Sequence, residues 1–201
     1  MVGSQARLIA LLPLVLCAAS GAAAAAATSA WTIDATCRDG YVHGVYELRG
    51  GDGRLRVQGA FNRGARTSSF LYWTSNGIRV AHIPYDDGGI AGTVALWYAQ
   101  TLPGQEARQK LEAAYAKGER HGPTRSWFPN GRPRGEYAYE RGTLVAAKAW
   151  NALGTPLAES AARGQATRDA EEDGRYFTSL DAIVDANLPA CEPAATSGTK
   201  S

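Results

Sequence analysis

The side chains able to do chemistry in this chain are three histidines, three cysteines and a few clustered acids. His43, His82 and His121 could ligate a metal if they converged, but no H-x-x-x-H or C-x-x-C spacing brings ligands together. Asp169-Ala-Glu171-Glu172-Asp173-Gly174 has the acidic spacing of half a calcium loop. Its twelfth position is Leu180, where a bidentate glutamate is required, so a solvated acidic turn is expected. Glu136 and Glu140 flank Tyr137 and Tyr139. A carboxylate pair for hydrolysis needs a cleft that pushes two pKa values apart, and these two sit beside a predicted turn. No G-x-S-x-G is present, and no serine stands in a recognisable arrangement with a histidine. The expectation is a non-enzymatic protein with no catalytic residue, metal or cofactor.

The remaining candidates are aromatic, and their spacing reveals what positions them. Gly40, Gly64 and Gly88 are 24 residues apart, as are Gly118 and Gly142. Gly53, Gly77 and Gly131 each follow an opening glycine by 13. Phe61, Tyr85 and Tyr139 follow by 21, and Trp73, Trp97 and Trp127 by nine. Asp52-Gly53, Asn76-Gly77 and Asn130-Gly131 are the dipeptides suited to type I′ hairpin turns. Asn62-Arg63-Gly64, Asp86-Asp87-Gly88 and Glu140-Arg141-Gly142 join one hairpin to the next. The result is two strands per repeat in an antiparallel meander, whose units bury a core by stacking. With a two-residue turn at Asn76-Gly77, Trp73 would face Val80, while Phe70, Tyr72, Ala81, Ile83 and Tyr85 share the opposite side. Both sides carry apolar groups, so the sheet curls on itself or something covers it.

The recurring G-x-x-x-G-x-x-x-x-W-x-x-N-G and Y-x-x-G elements, over roughly Gly40–Gly154, resemble the MORN-repeat variant family, which includes YwqK-family antitoxins. The first unit lacks the aromatic at Arg49 and the third is interrupted. The resemblance implies a β-hairpin repeat fold. Its antitoxin label implies, for an exported chain, an immunity-like protein acting outside the cytoplasm.

Residues 1–30 read as a secretory signal: Arg7, an apolar run from Leu8 to Ala19, then small residues. Cys17 follows the large Leu16, against a lipobox. After cleavage Cys37 and Cys191 remain, and an even pair in an oxidising compartment reads as a disulfide. Pro103 and Gly118 bracket a segment with Ala107, Leu111, Ala114 and Tyr115 on one helical face, so a short amphipathic helix is expected near 103–116. The period is lost after Gly154. Residues 155–191 should pack back on the repeats, with Ser160–Arg168 helical or loose and a short helix over Thr178–Asn187; residues 192–201 have a tail-like composition.

The fold class expected is therefore mainly β: an elongated antiparallel meander of tandem 24-residue hairpins over 31–154, with one inserted short helix and a short helical C-terminal segment. Basic residues are dispersed among acids, which argues against nucleic acid. The functional expectation is an exported, periplasmic or secreted protein without an integral membrane segment. It binds another protein through a sheet face; the alternative is an envelope protein holding peptidoglycan, other glycans or lipid headgroups. Trp73, Trp97, Trp127, Tyr137 and Tyr139 are the candidate partner-binding aromatics, against the alternative that they pack one repeat on the next.

Overall fold

The computed structural model describes residues 31–100 and 107–193. The expected signal segment, residues 103–106 and residues 194–201 of the tail lie outside the described residues. Within them the chain forms eleven strands: β1 (Thr32–Arg38), β2 (Tyr41–Arg49), β3 (Leu55–Asn62), β4 (Ala65–Trp73), β5 (Arg79–Asp86), β6 (Gly89–Ile90), β7 (Gly92–Trp97), β8 (Gln109–Ala116), β9 (Glu119–Trp127), β10 (Pro133–Glu140) and β11 (Thr143–Ala149). They pair in chain order in one antiparallel sheet, with short β6 beside β5. A single helix, α1 (Glu159–Asp185), follows.

The two sets of turns exchange the chemistry expected of them. Consecutive positive φ values, the mark of a type I′ turn, occur at Asp39-Gly40, Arg63-Gly64, Asp87-Gly88, Lys117-Gly118 and Arg141-Gly142. Each is a two-residue loop closed by a direct pair, such as Asn62↔Ala65 or Glu140↔Thr143. At Asn76-Gly77 only the glycine is left-handed, at φ 81°. The Gly77 amide donates to Thr74 O at 3.0 Å and the Thr74 amide to Ile78 O at 2.9 Å. That is a three-residue loop, a type I turn followed by a bulging glycine. The bulge moves Trp73 opposite Arg79 rather than Val80, while Tyr72 still pairs with Ala81. The inward set Phe70, Tyr72, Ala81, Ile83 and Tyr85 is buried as the pattern requires.

The helix expected near 103–116 is instead strand β8 from Gln109 to Ala116. Leu111, Ala113 and Tyr115 satisfy a period of two as readily as a helical stripe, and β7 and β9 offer ladders on both sides. In the C-terminal segment, the two helical stretches expected are one helix of 27 residues.

That helix covers the inner side of the sheet. Val184, Leu180 and Phe177 close the main core, built on Tyr46, Leu48, Phe61, Phe70 and Leu96. Ala162 and Ala166 lie on Tyr137, Tyr139 and Ala149. Advancing along α1, contacts step back through the strands. Asp169 meets Tyr137 of β10, Asp173 meets Arg120 of β9, Asp181 meets Tyr85 of β5, and Asp185 meets Arg66 of β4. Beyond the helix, Asn187 O accepts from the Tyr46 hydroxyl of β2, and Cys191 is bonded to Cys37 of β1. The helix therefore crosses the strands. At 1.5 Å per residue it is about 40 Å long, and β2 to β11 span about 38 Å at one strand per 4.8 Å.

Space under the helix is tight. A methyl group on Gly59 would stand 2.6 Å from the Phe70 ring. Phe61 and Tyr85 hold that ring edge-on from two sides, at 5.4 and 5.3 Å. Gly59→Ala is expected to destabilise by about 1–3 kcal/mol, the cost of overpacking a core with no room to shift. A denaturant midpoint unchanged from wild type would refute this account of Gly59.

Candidate functional site: the outer face and its turn-end row

The inner face is committed to α1, and its polar groups are used in doing so. Arg66 and Arg120 each lie two residues after a turn glycine, at the same place in the second and fourth repeats. Arg66 stands over the Tyr85 ring at 5.8 Å and Arg120 over Tyr139 at 5.4 Å. Arg66 donates to Asp185 at 2.7 Å, and Arg120 to Asp173 at 2.8 Å. The helix meets these two copies with acids twelve residues apart: Asp169 and Asp173, then Asp181 and Asp185. Twelve helical residues rise about 18 Å, close to the roughly 19 Å of four strand spacings. Arg134 also pairs with Asp169, and Lys110 with Glu172 at 3.0 Å. Burial raises the Asp173 carboxyl above its ordinary range, with Arg120 opposing. The Lys110 hydrogen bond lowers Glu172. Burial also pushes the Tyr46 and Tyr115 hydroxyls up to about 12.

The Asp169–Gly174 acids, expected as a solvated turn, are thus helical, with Asp169 and Asp173 buried. Between helix and sheet lies a cavity of about 10 Å³ bordered by Lys110, Ser126, Asp169 and Glu172. That is room for about one water. The buried Ser126 hydroxyl has no protein partner.

The outer face is a different surface. One cross-strand row runs Glu47, Gln58, Leu71, His82, Ala95, Glu112, Arg125, Glu136 and Lys148. These side chains are half-buried or exposed. Ser69 and His82, adjacent on β4 and β5, hydrogen bond at 2.8 Å. Sequence reasoning paired no serine with a histidine, because only the strand register brings these two together. Burial lowers the His82 pKa, with the Arg79 charge adding to it. The pair lies on an open sheet face. His43 and His121 do something else: each ring accepts from the backbone amide of a turn arginine, Arg63 at 3.4 Å and Arg141 at 3.3 Å. Their matching repeat position serves the turns. Among the described residues no cluster of His, Cys, Asp and Glu could hold a metal. Glu136 and Glu140 are both exposed.

The predicted aromatics separate into two groups. Tyr137 and Tyr139 point inward and are buried, Tyr137 donating to Asp169 at 2.8 Å. They belong to the helix seat. Trp73, Trp97 and Trp127 end β4, β7 and β9 and are half-buried. Each follows an inward residue, so strand alternation puts each on the outer side, and Trp127 also borders the small cavity beneath α1. Trp150 is a fourth member. The turn after it repeats the same bonds, Asn151 amide to Thr155 O and Gly154 amide to Asn151 O. Sequence reasoning passed over it because the fifth unit is one residue short. Opposite the four tryptophans stand Arg79, Gln109, Pro133 and Pro156. Tryptophans thus alternate with flat or polar spacers along one margin of the sheet. Arg79 lies 4.4 Å over the Trp97 ring, a cation–π stack.

No protein-family model and no curated protein matches the chain. Among the described residues no helix is long and apolar enough to cross a membrane. The disulfide between Cys37 and Cys191, with Cα atoms 5.5 Å apart, closes a span of 154 residues.

Proposed function

We propose that this is an exported, non-enzymatic binding protein that engages another protein through the outer face of its sheet. The observation that carries the reading is the division of labour between faces. The helix occupies the inner one, while the outer one keeps half-buried tryptophans, exposed charges and the small residues Ala95 and Ala138. The N-terminal pattern and the disulfide support a periplasmic or secreted location. The resemblance to the MORN-repeat variant family supports a repeat scaffold, and an immunity-like neutraliser is the form of its antitoxin label that suits an exported chain. The tryptophan row also favours a second reading, an envelope protein that holds peptidoglycan, another glycan or lipid headgroups.

Affinity capture from periplasmic extract, run beside a Leu71→Glu, Ala95→Glu variant, distinguishes the two. The first reading expects one protein retained by the wild type and lost by the folded variant. Sedimentation with isolated cell wall, released by sugar and not by the substitutions, would reject it in favour of the second. Intact mass of the exported protein is expected to lack residues 1 to about 26–30, as a cleaved signal requires.

A further inference from the structure

The tryptophan margin carries a second row, of arginines. Arg54 and Arg132 each stand just past a turn and Arg108 just before β8, and each reaches the turn of the next repeat. Arg54 donates to Ser75 O at 3.2 Å and Arg108 to Pro129 O at 3.0 Å, while Arg132 donates to Leu153 O. In the second repeat that position is Ile78, and the next residue, Arg79, takes up the stack on Trp97. All four arginines are exposed. Among the described residues none is paired with a carboxylate, whereas their neighbours Arg49 and Arg56 are paired with Glu47 and Asp52. One bond to a neighbouring turn, or one ring face, holds each guanidinium in place, and among the described residues its other N–H groups have no partner.

Both rows advance one position per repeat, that is, per two strands. The period is about 9.5 Å. Few chains share it. An α-helix repeats every 5.4 Å, and a strand presents the same face about every 6.8 Å. A polyproline II helix has three residues per turn at 3.1 Å each, so one face recurs about every 9.3 Å. Its prolines stack well on aromatic rings, and it is already ordered before binding. Guanidiniums at this interval suit carboxylates at the same interval.

We propose that this margin is a docking surface for an acidic polyproline II segment of a partner protein, lying across the strands, with proline faces on Trp73, Trp127 and Trp150 and an acid at every third residue against the arginines, Arg79 on Trp97 among them. The inference rests on the reading of the outer side as a protein-binding surface, and names the chemistry of what binds there.

The test titrates the full exported protein with a synthetic peptide of repeated Pro-Pro-Glu, followed by tryptophan fluorescence. Parallel titrations use Pro-Pro-Lys and Gly-Ser-Glu peptides of equal length and polygalacturonate. The expected result is saturable binding of Pro-Pro-Glu that weakens with added salt. Gly-Ser-Glu and an Arg79→Glu, Arg132→Glu variant should each bind at least tenfold less tightly, and Pro-Pro-Lys should not bind. Should the variant fail to fold, the peptide comparison on wild type still decides. Absence of Pro-Pro-Glu binding, equal binding of Pro-Pro-Lys, or tighter binding of polygalacturonate overturns the proposal. If a captured partner depends on Leu71 and Ala95 while the peptides fail, this inference falls and the outer-face reading stands.

Discussion

Arg120→Met is expected to destabilise the protein by about 3–5 kcal/mol at neutral pH, because it strands a buried carboxylate. Arg120 and Asp173 are both nearly inaccessible, with 9% and 6% of their side chains exposed. Asp173 has no other cation within salt-bridge distance among the described residues. The sign of the pH effect follows from its raised pKa. The folded state holds the Asp173 proton more tightly than the unfolded chain does. Its contribution favours folding at low pH and is lost as pH rises through the folded-state value. Removing Arg120 takes away the leading influence pulling that pKa down, ahead of Lys110, so the deficit of the variant should shrink on acidification. The double change Arg120→Met, Asp173→Leu is expected to recover most of the loss, since an apolar pair of similar volume replaces a buried ion pair at little cost. Urea midpoints at neutral and mildly acidic pH check all three outcomes. A single variant as stable as wild type would mean that water reaches Asp173.

Loss of the disulfide should cost a similar amount by a different route. Cys37→Ser, Cys191→Ser removes a closure of 154 residues. In the chain-entropy account this is worth about 5 kcal/mol, acting on the unfolded chain. The bond also pins β1, which is exposed along nearly its whole length and has one strand neighbour. The expected result is a large fall in melting temperature with reductant or in the variant. Amide exchange should become fastest in β1 and the end of α1, while β8–β10 keep their protection. A uniform rise in exchange across the sheet would show that the bond holds the whole fold rather than its end.

The repeat was legible because its landmarks are backbone requirements. Left-handed glycines such as Gly64 and Gly131 recur at fixed intervals, and strands of fixed length must lie between them. The assignment of turn types was less legible. Asparagine–glycine suits a type I′ turn, yet also a type I turn with a bulging glycine, and strand register decides between them. The turns that adopt the primed form include Arg63-Gly64, Lys117-Gly118 and Arg141-Gly142, with long basic side chains in the left-handed region. The stretch from Arg108 to Ala116 has good helix formers, and sheet ladders on both flanks overrode that propensity. Helix α1 was hardest to read. It has Gly164 and Gly174 within it and puts Asp169 and Asp173 on its buried side, so its apolar stripe is broken where the arginines of the sheet replace apolar partners. Pairings such as Arg120 with Asp173 depend on contacts 53 residues apart, and nothing local announces them. Three of the four tryptophans of the outer margin were legible from their spacing, whereas Trp150 and the arginine row were not. Those arginines become a row only after the turns stack.

A helix laid across strands acts as a ruler. Each added hairpin would widen the sheet by about 9.5 Å, which calls for about six more helical residues to keep the inner side covered. Repeat number, normally free to drift by duplication, is here tied to the length of a segment that lies outside the repeats. Any relative that gains or loses a hairpin should therefore show a compensating change between the positions matching Asp169 and Asp185.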